Sequence, residues 1–193
     1  MDDTTIDDMT TDHTAAPARV APHSLAARIA HWGFLVVFAY ALSKQLDEVE
    51  ELEDAALLEA EMIFASVFLL LVIARFLFMR LTRPTVLGED APLHVRRLAR
   101  AVHLGLYLCL GGIAATGLAI GALYGADVKT GFALDAALVA HELFVISTYW
   151  LIALHVAGAV YHRRRRDGIW DAMVPFWREE KASGDDQEAL VRR

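Results

Sequence analysis

The sequence predicts an all-α integral membrane protein, a four-helix bundle with both termini in the cytoplasm. Three observations carry that expectation. The 193 residues are 56% hydrophobic with a mean hydropathy of +0.37, and the apolar residues lie in blocks. Four blocks, at 25–43, 58–80, 98–124 and 135–161, each approach or exceed the about 20 helical residues that cross a hydrocarbon layer. Two of them, "IFASVFLLLVIARFLFM" and "LGLYLCLGGIAATGLAIGALYG", lack the polar face of a helix on the surface of a soluble protein.

Residues 1–24 form an acidic, Thr-rich tail punctuated by prolines and are expected to be disordered. The tail has no basic n-region, so the first helix reads as an uncleaved anchor. Orientation follows from the basic residues near the helix ends. The two outer loops carry one lysine each, Lys44 and Lys129. The middle connection holds Arg80, Arg83, Arg96, Arg97 and Arg100, and the C-terminal tail opens with Arg163, Arg164, Arg165 and Arg166. The net charge of −7 comes largely from the tail and the acidic first loop, and nothing suggests nucleic acid as a partner.

The first loop, "LDEVEELEDAALLEAE", reads as a solvated helical extension of helix two. Helix three carries Gly117, Gly121 and Gly125 at intervals of four, a face suited to another helix or to a flat cofactor. Cys109, the single cysteine, lies in mid-membrane and reads as packing. Residues 25–162 thus form the bundle. Residues 163–193 form a cytoplasmic segment in which Trp170, Phe176 and Trp177 suggest the membrane interface.

The histidines point to function. His13, His23 and His94 are expected in solvent, but five others lie in or at the membrane, where ionisable groups carry function by default. His141 and His155 are fourteen residues apart, close to four turns, so they share one face about 21 Å apart along the axis. Thr148 lies midway, and His162 continues the column. Two imidazoles at different depths suggest two sites, one per leaflet. His31 lies about six residues inside helix one, roughly 9 Å deep, and so does His155 at the end of helix four. The two can face each other across the bundle. Zinc would want more ligands, whereas a haem iron needs only two axial ones and suits a bundle interior. Arg75, well inside helix two, lies at the same depth and could neutralise a haem propionate.

The ordered set "RIAHW", "LLLVIARFLFMR", "HLGLYLCLGGIAATGL" and "HELFVISTYWLIALHVAGAVYH" followed by "RRRRDGIWDAMVP" resembles the bacterial cytochrome b-561 family. This is a family of four-helix membrane haem proteins related to hydrogenase cytochrome b subunits. The resemblance runs from about residue 25 to 175, and the helix-four pattern is its most specific part. It implies that His31 and His155 are the axial pair of a cytoplasmic-side haem b. It also implies that His141 is one ligand of a second haem near the outer face. The usual partner is a histidine fourteen residues before the arginine, and this chain has Glu61 there, with Ala65 as the small residue four later. The outer haem could be lost, with His141 bonded to Glu61; it could be five-coordinate on His141; or Met62 could supply a thioether. Loss or altered ligation is favoured over a bis-histidine site, because a carboxylate is a poor ligand for a soft metal.

The function expected is quinone-linked electron transfer in the bacterial inner membrane. One haem b is expected and the second is left open, with Arg75 and Arg28 tuning the potential. His103 and His162 are candidates for a propionate hydrogen bond or a quinone pocket, against a plain interfacial role. Expected partners are membrane lipid, quinone and a redox partner protein, with homo- or hetero-oligomers open. Relatives include oxidoreductases, some of which oxidise superoxide. The alternative is a membrane anchor subunit of a larger complex with little electron transfer of its own. A transporter is a weak third, since broken helices and repeats are missing.

Overall fold

Each apolar block becomes one long helix. The computed structural model describes residues 25–44, 48–82, 92–166 and 168–177; the expected disorder of residues 1–24 concerns residues outside these. Helix α1 spans Leu25–Ser43, α2 Ala55–Thr82, α3 Leu93–Gly125 and α4 Phe132–Arg165. A short α5, Ile169–Met173, follows, and a 3₁₀ turn at Val49–Glu53 precedes α2. All four long helices are apolar enough to cross a membrane. Their outward faces are lined by large apolar side chains such as Trp150, Leu81 and Leu70, as a lipid-facing surface requires.

Helix α1 matches its apolar block, whereas α2, α3 and α4 run past theirs to ends set by local backbone chemistry. Asp54 accepts hydrogen bonds from the N–H groups of Ala56 (2.9 Å) and Leu57 (3.4 Å), so α2 begins directly after it. α3 starts after Pro92, which has no backbone donor to offer an earlier turn. α4 starts after Gly131, whose φ of 102° reverses the chain, and ends where Arg166 turns left-handed. Its last turn carries His162 and three arginines, favourable beside the negative end of the helix dipole.

The first loop departs from the solvated extension expected of it. Helicity breaks at Asp54, and Leu52 in the 3₁₀ turn is buried against Ile120, Tyr124 and Leu134. A leucine at that position gains more by covering the outer ends of α3 and α4 than by extending α2 into water. The neighbouring Glu50, Glu51 and Glu53 stay exposed. Glu53 also meets Lys129 at 3.3 Å, which holds that ammonium above the usual lysine range. The raised value means that the contact is intact below ordinary lysine titration and is lost only as pH climbs through the raised value.

α3 is the spine of the bundle, packed along both α2 and α4. Its small residues receive side chains rather than helix backbones. The Phe144 ring lies over Gly112, the His141 ring edges Gly117, and the Met62 sulfur rests on Gly121. An apolar cluster of Phe38, Phe68, Val72, Leu110 and Ala114 fills the middle. α1 packs only lightly on α2, and its backbone has no extensive contact with α4 among the described residues. Gly33 on α1 and Gly158 on α4 each have open space where a Cβ would stand.

The contact between Gly121 and Met62 gives a stability prediction. Gly121→Ala should destabilise the bundle by about 1–3 kcal/mol through overpacking. Combined with Met62→Ala, the loss should be clearly less than additive in a double-mutant cycle of thermal unfolding in detergent.

Candidate functional site: a histidine cluster at the basic end

Four helices bring polar groups together at the arginine-rich end of the bundle. His31 of α1 and His155 of α4 have ring centroids 6.3 Å apart, tilted by 58°. His103 of α3 stands edge-on to His155 at 5.1 Å. Arg75 of α2 donates from Nη2 to His31 Nδ1 at 2.9 Å, and its guanidinium also lies 5.6 Å from the Phe34 ring centroid. The phenol of Tyr107, one turn along α3 from His103, neighbours the same guanidinium.

One atom in this cluster lacks a partner. Arg75 Nη1 is buried and, among the described residues, makes no hydrogen bond. A guanidinium nitrogen stripped of water and left unpaired costs about 1–3 kcal/mol or more. The arrangement therefore calls for an acceptor, and an anionic one would answer the charge as well. Two imidazoles that share a metal ion at the usual metal–nitrogen distance of about 2 Å have centroids about 6 Å apart. The observed separation fits, and Gly33 on α1 and Gly158 on α4 leave open space where side chains would stand. Among the described residues no cluster of three or more His, Cys, Asp or Glu could hold a bare metal ion, so the cofactor would have to bring most of its own ligands.

The proton positions are set by neighbours. Since a guanidinium can only donate, neutral His31 accepts at Nδ1 and carries its hydrogen on Nε2. His103 donates from Nδ1 to the Ala99 carbonyl at 2.6 Å, leaving Nε2 as its acceptor.

The other residues singled out from the sequence lie apart from this cluster. Arg28 donates from Nε to the Ala172 carbonyl at 2.9 Å and from Nη2 to that of Asp171 at 3.1 Å. Trp32, one turn on, donates to the Met173 carbonyl at 3.1 Å, and its ring is tilted by 57° to that of Phe176, 5.3 Å away. Together they cap α5, whose last carbonyls have no partner within the helix. His162 is half-buried beside the Tyr161 ring, 5.6 Å away. His141, Glu61 and Met62 belong to the outer half of the bundle. His141 Nδ1 lies 3.0 Å from the Thr116 hydroxyl.

Sequence reasoning missed Tyr107, Thr116 and the capping role of Arg28 and Trp32. Tyr107 follows His103 by one turn, a usable signal; the other contacts depend on which helices become neighbours.

A family model described as prokaryotic cytochrome b561 matches residues 22–176. The chain belongs to that family. No curated protein and no solved structure matches the chain. Cytochrome b561 membership implies a multi-pass bacterial membrane protein that binds b-type haem and works in electron transfer.

The cap on α5 can be tested directly. Arg28→Ala combined with Trp32→Phe should expose the segment after α4 to limited proteolysis in detergent micelles, with the four long helices left intact by circular dichroism.

Proposed function

We propose that this cytochrome b561 resides in the inner membrane and passes electrons between a redox partner and the quinone pool. It would do so through a haem b held by His31 and His155. The observation that carries this reading is the facing imidazole pair, 6.3 Å apart, with the unpartnered Arg75 Nη1 beside it. A haem held there by His31 and His155 would supply a one-electron couple suited to electron transfer.

The chain's own residues do the rest. Arg75 holds the His31 hydrogen on Nε2; an imidazole that served a haem through Nε2 would carry it on Nδ1, with Arg75 freed from that nitrogen. A carboxylate of the haem would give that guanidinium the acceptor that Nη1 lacks. Trp32, edge-on to His31 at 5.9 Å, closes the basic end together with Phe176 and keeps water from the imidazole. The fixed positive charge of Arg75 favours the reduced haem. His103 is exposed near the end of the span, and its Nδ1 is already committed to Ala99. Its Nε2, left as an acceptor, is the group we assign to the hydroxyl of a quinol, on a ring whose centroid lies 5.1 Å from that of His155.

The test is a reduced-minus-oxidised spectrum of the purified full chain in detergent, with quinol as reductant. His31→Ala and His155→Ala should each lose the low-spin signal of the inner haem. Arg75→Leu should lower the midpoint potential while retaining the low-spin spectrum. A colourless wild-type protein would instead favour a membrane anchor without electron transfer of its own.

A further inference from the structure

The turn after α4 builds a feature that the histidine cluster does not use. Arg166 (φ 54°) and Gly168 (φ 80°) are both left-handed, so the chain turns sharply and α5 packs against α4. Two indoles then flank one cation. The Arg163 guanidinium lies 5.1 Å from the Trp170 ring centroid and 5.6 Å from that of Trp177. The two tryptophans are tied together, because Trp170 Nε1–H donates to the Trp177 carbonyl at 3.1 Å.

The cation is caged but not answered. Ring faces attract its charge and offer its N–H groups no in-plane acceptor. Arg163 is half-buried, and among the described residues no hydrogen bond or ion pair reaches its guanidinium; the ion pairs found there belong to Lys129, at the opposite end of the bundle. Arg164 is exposed and equally unpaired among the described residues. Arg165 is engaged, donating to the Tyr161 hydroxyl at 3.4 Å.

Position limits what can answer it. Arg163 is eight residues beyond His155, about 12 Å further along α4, past the last apolar turns of the span. Phe176 and Trp177 beside it are 49% and 70% exposed. Aromatic rings next to arginines at the end of a span belong where hydrocarbon meets headgroups. A soluble acidic partner would answer the arginines and leave these rings in water, whereas a lipid answers both. The carbonyl end of α4 repels an anion with about half a charge. Arg163, Arg164, Arg165 and Arg166 set four positive charges against it, so attraction wins.

We propose that this cage binds the headgroup of an anionic phospholipid from the leaflet at the arginine-rich end. The phosphate accepts from the unpaired N–H groups of Arg163, Arg164 adds charge, and the acyl chains lie along Phe176 and Trp177. Phe176 also neighbours Trp32, so an occupied site fastens the segment after α4 from the side opposite the staple of Arg28 and Trp32. The site involves no haem and stands independently of the proposed function.

The experiment is native mass spectrometry of the purified full chain in detergent, with phosphatidylglycerol or zwitterionic phosphatidylcholine added in equal amount. Phosphatidylglycerol should be retained several-fold more strongly. Losing one surface arginine costs about fivefold, which is the expectation for Arg164→Gln. Arg163→Gln should cost at least about tenfold, because a directed donor is lost with the charge. Arg163→Lys should recover only part of the retention, since an ammonium lacks the flat fork. Trp177→Leu should also weaken retention although every charge remains, with helix content unchanged by circular dichroism. Equal retention of the two lipids would overturn the proposal and leave the arginines to a soluble acidic partner. Equal losses in Arg163→Gln and Arg164→Gln would overturn it by reducing the site to diffuse charge. Displacement of the lipid by inorganic phosphate would overturn it by making the site one for a free anion.

Discussion

Inside a hydrocarbon layer a polar atom must find its partner at its own depth, because neither water nor a flexible loop is there to supply one. The structure is arranged around that constraint. Arg75 reaches His31, His31 faces His155, and His155 meets His103, so four separate helices are registered by groups at one level. Thr148 and Thr116 solve the same problem locally, returning their hydroxyl hydrogens to carbonyls one turn earlier. The intervening layer of Phe34, Phe68 and Val72 needs no such matching and separates the two polar levels.

Depth is also what made so much of the molecule legible in the sequence. Spacings of fourteen between His141 and His155, and between Glu61 and Arg75, convert directly into levels, because a helix rises by a fixed step. The four spans and the inner group of His31, Arg75, His103 and His155 could therefore be read before any contact was known. Azimuth was less legible. Whether Gly117 receives a helix, a haem or a ring depends on how α4 is rotated about its axis, and the answer, an imidazole edge, is a property of the pair. The roles of Thr116 and Tyr107 were hidden for the same reason. The folding back of Leu52 was hidden because an acidic loop with helical spacing gives little sign that one leucine is worth burying.

The outer and inner levels differ in how their polar groups are answered. At the inner level a cation is the unsatisfied partner, at the outer level an acid. The same bundle thus presents opposite local charges at its two polar levels, a cation at one and an acid at the other.

The staple between α1 and α5 orders events in time. Arg28 and Trp32 belong to the first span, and the carbonyls they bind belong to residues 171–173, near the end of the chain. During synthesis the first helix enters the membrane long before those carbonyls exist. Until they emerge, α1 lacks this staple and rests on its light contact with α2. The first span is therefore fastened less by its own packing than by a segment made after α4, so its final seating waits on the far side of the sequence.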